Sequence, residues 1–274
     1  MSDPNEPRPA ATVVLLRDTE KGPEVFMVRR HEGVGSFRGA HVFPGGRVDD
    51  EDYADPVWAD GVDRARRQLS ILPEDEALAF FVAAARELFE EAGVLLARDR
   101  TGQYVPLAQP PDHERFTQHR HDIHARRSSF VEMVQLEGLR LALDALTLSA
   151  HWVTPPVEGK RFDTRFFVAR LPPGQTPAHD EKETTESSWM TAADAIRAGD
   201  ERQIQLPPPT WMTLREIETF KSVEQIVAAA RTRTVVRREP RLVQEDGMRA
   251  LVMPDNRTRF VWLEGYWRPE RIER

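Results

Sequence analysis

The chain has 274 residues, with 38 Lys and Arg against 45 Asp and Glu, which gives a formal net charge of −7. It has no cysteine, which excludes disulfides, thiolate metal sites and a cysteine nucleophile, and its acidic balance argues against nucleic acid as a partner. A hydrophobic fraction of 40% is typical of a globular chain. The longest apolar run, Ala77 to Ala85, is shorter than the ~20 residues that cross a bilayer. We therefore expect a cytoplasmic protein without a membrane partner.

The first elements in chain order are a leader and a hairpin. Residues 1–10 are polar and proline-rich, and we expect a flexible leader there. Two apolar β-branched runs, 11–17 and 24–30, flank the turn residues 21–23 and predict a β-hairpin. Residues 47–72 are acidic and then mixed, and we interpret them as a loop, with an insertion at about 53–72 that holds one short helix.

The strongest predicted element is a helix that begins at Pro73 and ends at Gly93. Proline needs no amide partner in a first turn, and the following Glu74, Asp75 and Glu76 favour the positive end of the helix dipole. Apolar residues recur at helical spacing through 77–92, and Gly93 stands where a left-handed cap is expected.

Later segments alternate between helix and strand patterns. We predict a helical insertion at about 111–150, strands at 151–154 and 162–169, a polar loop at 171–187 and a short strand at 188–190. Helices are predicted at 192–197 and from about 210 to 230, and strand-like pieces lie at 251–253 and 260–263. This interleaving favours an α/β fold.

Three glutamates near the end of the strong helix carry the clearest chemical signal. Glu87, Glu90 and Glu91 have i, i+3 and i+4 spacing, so they share one helix face, and they lie at the negative end of the dipole. A hard divalent cation would offset this repulsion, because Mg²⁺ takes oxygen ligands. The alternative is a solvated acidic face, since glutamate is a good helix former.

The complete residue string at this helix end favours the cation site over the solvated acidic face. It reads Arg86-Glu87-Leu88-Phe89-Glu90-Glu91-Ala92-Gly93-Val94. This string resembles the core of the Nudix box, and the chain resembles the Nudix hydrolases. The resemblance implies an α/β/α sandwich with a mixed β-sheet, and hydrolysis of a nucleoside diphosphate linked to another moiety. It also implies Mg²⁺ or Mn²⁺ held by Glu87, Glu90, Glu91 and the Gly46 carbonyl, with Arg86 and Glu90 among the catalytic residues.

The upstream half of the box is split by an insertion. Gly45-Gly46 is followed after six residues by Asp52, but 34 residues separate Asp52 from Arg86, which is 26 more than the family's usual eight. The string Val42-Phe43-Pro44-Gly45-Gly46, this split, and later segments at 152–155, 161–167 and 206–210 resemble the peroxisomal coenzyme A diphosphatase branch and its bacterial relatives. The resemblance covers about 11–225, so we assign 11–232 to a Nudix domain and 233–274 to a C-terminal extension packed on the domain or on a dimer partner.

Further site residues follow from the same resemblance. Nudix enzymes often supply a glutamate from the loop before the last core strand, which makes Glu183 and Glu186 candidates for the general base beside Glu90. Asp180 and Glu181 lie in the same loop. Arg30, Arg38 and Arg161 are the candidates for substrate binding.

A cluster of histidines in the helical insertion has three interpretations. His113, His119, His121 and His124 lie beside several arginines. Imidazole suits zinc, but this spacing matches no familiar zinc pattern. A basic lid over substrate phosphates and an exposed helix face are the other two.

The sequence therefore predicts a small-molecule nucleotide as partner, with coenzyme A or acyl-coenzyme A as the first substrate hypothesis. ADP-ribose, NADH, dinucleoside polyphosphates and a non-canonical nucleoside triphosphate are alternatives. A different class of function is a module that binds a nucleotide or RNA without turnover, but the intact box glutamates argue against it. The remaining hypothesis is that the acidic face has a purely structural role. The resemblance is also compatible with a homodimer.

Overall fold

The computed structural model describes residues 6–33, 37–53, 56–156, 159–180, 184–245, 247–255, 257–263 and 265–272. Its strands are β1 (Arg8–Thr19), β2 (Gly22–Arg30), β3 (His41–Val42), β4 (Gly45–Arg47), β5 (Ala59–Asp60), β6 (Ala97–Arg98), β7 (Arg140–Ala142), β8 (Thr147–Val153), β9 (Phe162–Arg170), β10 (Thr184–Thr191), β11 (Arg237–Arg238), β12 (Arg241–Glu245), β13 (Met248–Val252), β14 (Thr258–Leu263) and β15 (Tyr266–Arg271). Its helices are α1 (Val62–Gln68), α2 (Glu74–Ala92), α3 (Asp112–His124), α4 (Phe130–Leu136), α5 (Ala192–Asp200), α6 (Pro208–Ile217) and α7 (Val223–Thr232). Short 3-10 turns cover Asp50–Tyr53, Pro56–Trp58 and Leu143–Ala145.

The central sheet is mixed. Its strand order is β10-β2-β1-β9-β8-β11, with β3 paired to β2 and β4 paired to β1. Strand β1 runs parallel to β9, whereas β1 with β2 and β8 with β9 are antiparallel. Two smaller sheets have the orders β5-β7-β6 and β12-β13-β14-β15. The predicted hairpin between the first two strands is therefore confirmed.

The two faces of β1 explain the layered architecture. Val13 and Leu15 belong to one buried cluster, with the apolar face of α2, while Val14 and Leu16 belong to a second cluster, with residues of α5, α6 and α7. All four side chains are fully buried, as expected for a strand covered on both faces. Helices thus lie on both sides of the sheet, and the predicted α/β/α sandwich is confirmed.

The helix α2 begins and ends where the sequence predicts. Pro73 is its N-cap and Gly93 its C-cap, with a φ of 66°, and the Gly93 N–H donates to the Leu88 and Phe89 carbonyls. This left-handed cap suits a residue without a Cβ.

The predicted leader is too long. Strand β1 begins at Arg8, and Arg8, Pro9 and Ala10 pair with residues of β9. These residues belong to the sheet because of a pairing with a segment about 150 positions later in the chain, which local sequence does not reveal.

The predicted helical insertion at 111–150 is wrong in its second half. Helix α4 begins at a capping box, in which Ser129 and Glu132 bond each other's backbone, and ends before Gly138, which has a φ of 64°. The chain then forms β7 and β8. Leu141 of β7 is buried, as are Leu143 and Leu146 in the turn between β7 and β8, whereas Leu136 on α4 is 80% exposed.

The single helix predicted at 210–230 is two helices, α6 and α7. Ser222 caps α7 by accepting a hydrogen bond from the Gln225 N–H, which starts a new helix rather than continuing the old one. Segment 47–72 holds α1, as the sequence suggests, together with two 3-10 turns and β5.

The C-terminal extension forms its own antiparallel sheet, β12 to β15. Leu251, Met253 and Phe260 from this sheet join the second buried cluster of the main domain, and Phe260 packs edge-on against Trp211 of α6. The extension therefore packs on the domain. In the described part of the chain, no helix is long and apolar enough to span a membrane.

Candidate active site

Two glycines of β4 lie directly against the last turns of α2. Pairing of β4 with β1 places Gly45 opposite Thr12 and Gly46 opposite Ala11. The Gly45 N–H donates to Glu91 Oε2 at 2.8 Å. A Cβ added to Gly46 would lie 2.4 Å from Glu87 Oε1. This approach requires glycine, and it brings the Gly46 backbone beside the Glu87 carboxylate.

Arg86 connects this acidic helix end to the preceding loop. Its Nε and Nη2 each donate at 2.9 Å to the two carboxylate oxygens of Asp52, and Nη2 also donates to the Arg47 carbonyl at 2.8 Å. Its Nη1 donates to Glu87 Oε1 at 2.9 Å and to Glu90 Oε1 at 3.0 Å. A guanidinium has five N–H donors, so these bonds use all of them.

The burial of this network changes the protonation of its acids. The side chains of Arg86 and Asp52 are 4% and 0% exposed. Burial raises the pKa of Asp52, although its hydrogen bonds with Arg86 oppose that shift. Burial also raises the pKa of Glu87 well above its usual value, and the charges of Glu91 and Glu90 act in the same direction, against Arg86.

The donor set at this site suits a hard divalent cation. Glu87, Glu90, Glu91 and the Gly46 carbonyl offer only oxygen atoms, which Mg²⁺ and Mn²⁺ accept. Burial raises the pKa of Glu87, and the charges of Glu91 and Glu90 raise it further against Arg86, so a cation beside these carboxylates would favour the ionised form of Glu87. The described carboxylates are held by Arg86 and by Gly45, and in the described ranges no group of three or more His, Asp or Glu side chains is arranged to hold a metal ion.

The acidic end of α2 opens into a large cleft. The cleft has a volume of about 1090 Å³, and Gly46, Glu87 and Glu90 line it. Its lining includes cationic side chains from several elements, among them Arg8, Arg30, Arg38, Arg47, Arg126 and Lys160. A cleft with carboxylates at one place and cations around them can hold a metal together with a polyanion.

Comparison with known proteins identifies this arrangement. The family model described as the NUDT19 Nudix domain matches residues 56–217. The chain belongs to this family of Nudix domains. The crystal structure of a Nudix hydrolase from Alicyclobacillus acidocaldarius is similar, with 26% identity and a TM-score of 0.66 over 81% of this chain and 96% of that chain.

Two curated relatives carry the name acyl-coenzyme A diphosphatase NUDT19. The protein from Homo sapiens is 29% identical over 244 residues, which are 75% of this chain and 63% of the relative. The protein from Xenopus laevis is 25% identical over 237 residues, which are 74% of this chain and 62% of the relative. The chain thus matches less than two thirds of the length of these relatives.

The structure places three of the four predicted metal ligands at the cleft. Glu87, Glu90 and Gly46 line the cleft, whereas Glu91 is 3% exposed and holds the Gly45 N–H. Arg86 also borders the cleft, but its donors are all used within the protein, and two of its hydrogen bonds fix the directions of Glu87 and Glu90. Asp52 is the buried carboxylate partner of Arg86, although 34 positions separate the two residues.

The predicted bases from the loop before β10 have different positions. Glu183 lies outside the described residues. Glu186 is exposed on β10 and pairs with Arg29 at 3.0 Å, and it is not among the described residues that line the cleft. Asp180 of the same loop has a fully buried carboxylate 3.9 Å from His124. Among the predicted bases that the structure describes, only Glu90 lies in the cleft.

The predicted substrate arginines also separate into two groups. Arg30 and Arg38 line the cleft, and the buried Arg30 Nε has no hydrogen-bond partner among the described residues. Arg161 is not among the described lining residues. Its Nε donates to the Thr154 carbonyl at 3.0 Å and its Nη2 to Glu239 at 2.6 Å, so the structure gives it a role in holding β9 and the extension.

The histidines of the insertion do not converge. His113, His119 and His121 contact Leu107, Glu137 and Arg127 respectively. His124 Nε2 lies 3.1 Å from the Glu90 carbonyl oxygen, and Arg120 Nε donates to the same oxygen at 2.7 Å. These two side chains of α3 therefore satisfy a carbonyl in the last turn of α2, which has no partner within the helix.

Sequence reasoning missed Glu51, an acidic residue of the cleft. Glu51 lines it from the 3-10 turn after β4, and its Oε2 accepts a hydrogen bond from the Phe130 N–H at 3.1 Å. Burial raises the pKa of Glu51, and Asp52 and Glu90 add to this against Arg86. Glu51 sits in an acidic run of four residues, Asp49 to Asp52, in which the sequence alone does not distinguish one carboxylate from another.

Proposed function

We propose that this chain is a Mg²⁺- or Mn²⁺-dependent diphosphohydrolase that cleaves the pyrophosphate of coenzyme A or an acyl-coenzyme A. The observation that supports this most directly is the Nudix box, whose Glu87 and Glu90 open into a cleft lined by cationic side chains. The names of the human and Xenopus relatives support the substrate class. ADP-ribose, NADH and other nucleotide diphosphates are the alternative substrates.

The residues have separate tasks in this reaction. Glu87, Glu90, Glu91 and the Gly46 carbonyl are the groups that would hold the ion. When bound, Mg²⁺ or Mn²⁺ neutralises phosphate charge and lowers the pKa of water in its coordination shell. Arg86 fixes the directions of Glu87 and Glu90. Arg30 and Arg38 contribute positive charge toward the diphosphate, in which two phosphorus atoms share one bridging oxygen.

Glu90 is the proposed general base. It lies in the cleft, and its carboxylate accepts only one described hydrogen bond from a side chain, at Oε1. In the hydrolysis it takes a proton from water as the water oxygen bonds to phosphorus and the anhydride P–O bond breaks. The products from coenzyme A are adenosine 3′,5′-bisphosphate and 4′-phosphopantetheine. Glu183 remains a second candidate for this role.

A substrate panel tests the proposal. Coenzyme A, acetyl-coenzyme A, ADP-ribose, NADH and dGTP are incubated with the protein and either Mg²⁺ or Mn²⁺, and the products are separated by chromatography. We expect the highest kcat/KM for a coenzyme A compound, with adenosine 3′,5′-bisphosphate as product. Preference for another compound would overturn the substrate proposal, and cation binding without any cleavage would favour a module that only binds nucleotides.

Two broader expectations remain proposals. A homodimer is tested by light scattering coupled to size-exclusion chromatography. A cytoplasmic location is tested by fractionation of the source cells.

A further inference from the structure

Part of the cleft wall is aromatic. Trp152 of β8 and Trp211 of α6 line it from the main domain, and Tyr266 and Trp267 of β15 line it from the C-terminal sheet. The sheet is fixed against the domain through Phe260, which meets Trp211 edge-on with 5.5 Å between ring centroids. The C-terminal sheet is therefore a wall of the same cleft that holds the acidic helix end.

Three polar atoms of these aromatic side chains are buried without a partner among the described residues. Trp152 Nε1, Trp211 Nε1 and Tyr266 Oη form no hydrogen bond within the described residues. An indole N–H can only donate, and unpaired buried donors are rare in folded proteins. Their occurrence together around one cavity points to a ligand that supplies hydrogen-bond acceptors there.

The surroundings of these rings favour a narrow, linear ligand over a flat nucleobase that would stack on them. One face of Trp152 is covered by Arg238, whose Cζ lies 5.1 Å from the ring centroid, and Arg202 covers Tyr266 at 4.4 Å. The ring of Trp211 packs edge-on against Phe260 and is covered by Arg215. The rings thus have less stacking surface to offer, while their polar edges remain without partners.

We propose that Trp152, Trp211 and Tyr266 form a binding site for the pantetheine arm of a coenzyme A thioester. This arm is long and uncharged, and its two amide carbonyls and the thioester carbonyl accept hydrogen bonds. The identity of the ligand rests on the proposed function, because the arm is joined to the diphosphate that the Nudix box would cleave. The C-terminal sheet then takes part in substrate selection.

The first test measures binding without any bond to cleave. S-octanoylpantetheine, which has the arm but no diphosphate, is titrated calorimetrically into the full chain and into the Tyr266→Phe and Trp211→Phe variants. Loss of one neutral hydrogen bond should weaken binding about fivefold in each variant. Tyr53→Phe is the matched control, because Tyr53 is exposed and lies outside the described lining of the cleft. Thermal unfolding of each variant checks that its fold is intact.

The second test separates this inference from the proposed function. For octanoyl-coenzyme A, Tyr266→Phe should raise KM about fivefold with kcat within about twofold of the wild type. Hydrolysis with an unchanged KM would overturn the arm site and leave the function standing. Octanoylpantetheine binding that depends on Tyr266, without hydrolysis of octanoyl-coenzyme A, would support the arm site and overturn the proposed function. If the variants instead weaken binding of adenosine 3′,5′-bisphosphate, the site holds the nucleotide and the inference is wrong.

Discussion

Arg86 and Asp52 form a buried two-pronged ion pair, in which Nε and Nη2 each lie 2.9 Å from a carboxylate oxygen. The two residues are 34 positions apart, and the insertion of the Nudix box lies between them. Because Arg86 also bonds Glu87 and Glu90, the pair fixes the direction of two proposed metal ligands. The contact between Arg86 and Asp52 thus holds the Nudix box together across the insertion.

Replacing Asp52 with Asn should destabilise the protein strongly. The change leaves Arg86 buried with less compensating charge, and removal of one partner from a buried ion pair costs about 3 kcal/mol or more in the free energy of unfolding. Urea denaturation measures this. Asp49→Asn is the control, because Asp49 is 48% exposed at its side chain and lies 3.7 Å from Arg47, a pair worth less than about 1 kcal/mol. Equal losses in the two variants would contradict the role given to Asp52.

Replacing Gly46 with Ala should reduce catalysis more than stability. The added Cβ would lie 2.4 Å from Glu87 Oε1, so the carboxylate has to move. A displacement of about 1 Å in a catalytic group can cost about 100-fold in rate, and we expect a loss of that order in kcat/KM. Gly159→Ala is the matched control, because nothing lies within 4 Å of a Cβ at that position. An active Gly46→Ala enzyme would argue against this glycine as part of the metal site.

Local sequence patterns were sufficient for the elements that carry the chemistry. Helix α2 has its dipole-matched first turn, apolar stripe and glycine cap within 21 residues, so its bounds could be predicted. The Nudix string on it located Glu87 and Glu90. The pairing of Arg8 with Phe162, by contrast, depends on contacts distant in sequence, and leucines spaced through 136–146 fit a buried strand as well as a helix.

The cleft was less predictable than the box. Its cationic residues come from segments as far apart as Arg8 and Lys160, and no spacing rule connects them. The aromatic wall depends on how the C-terminal sheet packs on α6, and the sequence indicated only two strand-like pieces of that sheet. Arg161 matched the family string but bonds Glu239 of the extension, a partner that only the fold brings near.

Replacing Glu87 with Gln should stabilise the metal-free protein at high pH while abolishing activity. Burial raises the pKa of Glu87 above its usual 4.5, so the folded state binds more protons than the unfolded state above that pH. Stability from this group is therefore present at low pH and is lost as pH rises through the folded pKa. Glutamine does not ionise, so the stability of the variant relative to the wild type should rise from pH 5 to pH 8.

Urea unfolding in a chelator at the two pH values measures this difference. Glu74→Gln on the same helix is the control, because its side chain is 74% exposed, and its effect should be the same at both pH values. Addition of Mg²⁺ should raise the unfolding free energy of the wild type more than that of Glu87→Gln, by mass action on the folded state. A wild type whose stability does not respond to Mg²⁺ would sink the metal assignment.

Glu90→Gln and Glu186→Gln should differ sharply in activity. Glu90 lies in the cleft, and loss of a general base costs about 10² to 10⁴ in kcat. Glu186 is on the surface in an ion pair with Arg29, so its replacement should change kcat by less than about twofold. Steady-state kinetics on coenzyme A with saturating Mg²⁺ measures both. A large loss from Glu186→Gln would contradict this assignment of the base.

Replacing Arg120 with Ala should loosen the end of α2 and thereby the metal site. Arg120 donates to the Glu90 carbonyl at 2.7 Å and to the Ala178 carbonyl at 3.1 Å, so it ties α3 and the loop before β10 to the helix that carries the Nudix box. Hydrogen bonds from a charged donor are worth about 1.5 to 3 kcal/mol, and we expect a loss of stability in that range. Because the last turn of α2 carries Glu90 and Glu91, the Mg²⁺ concentration for half-maximal activity should also rise severalfold.

Arg115→Ala on the same helix is the control, since its partners Asp112 and Glu137 lie away from α2. If both variants shift the Mg²⁺ dependence equally, the effect comes from the charge of α3 and not from its contact with Glu90.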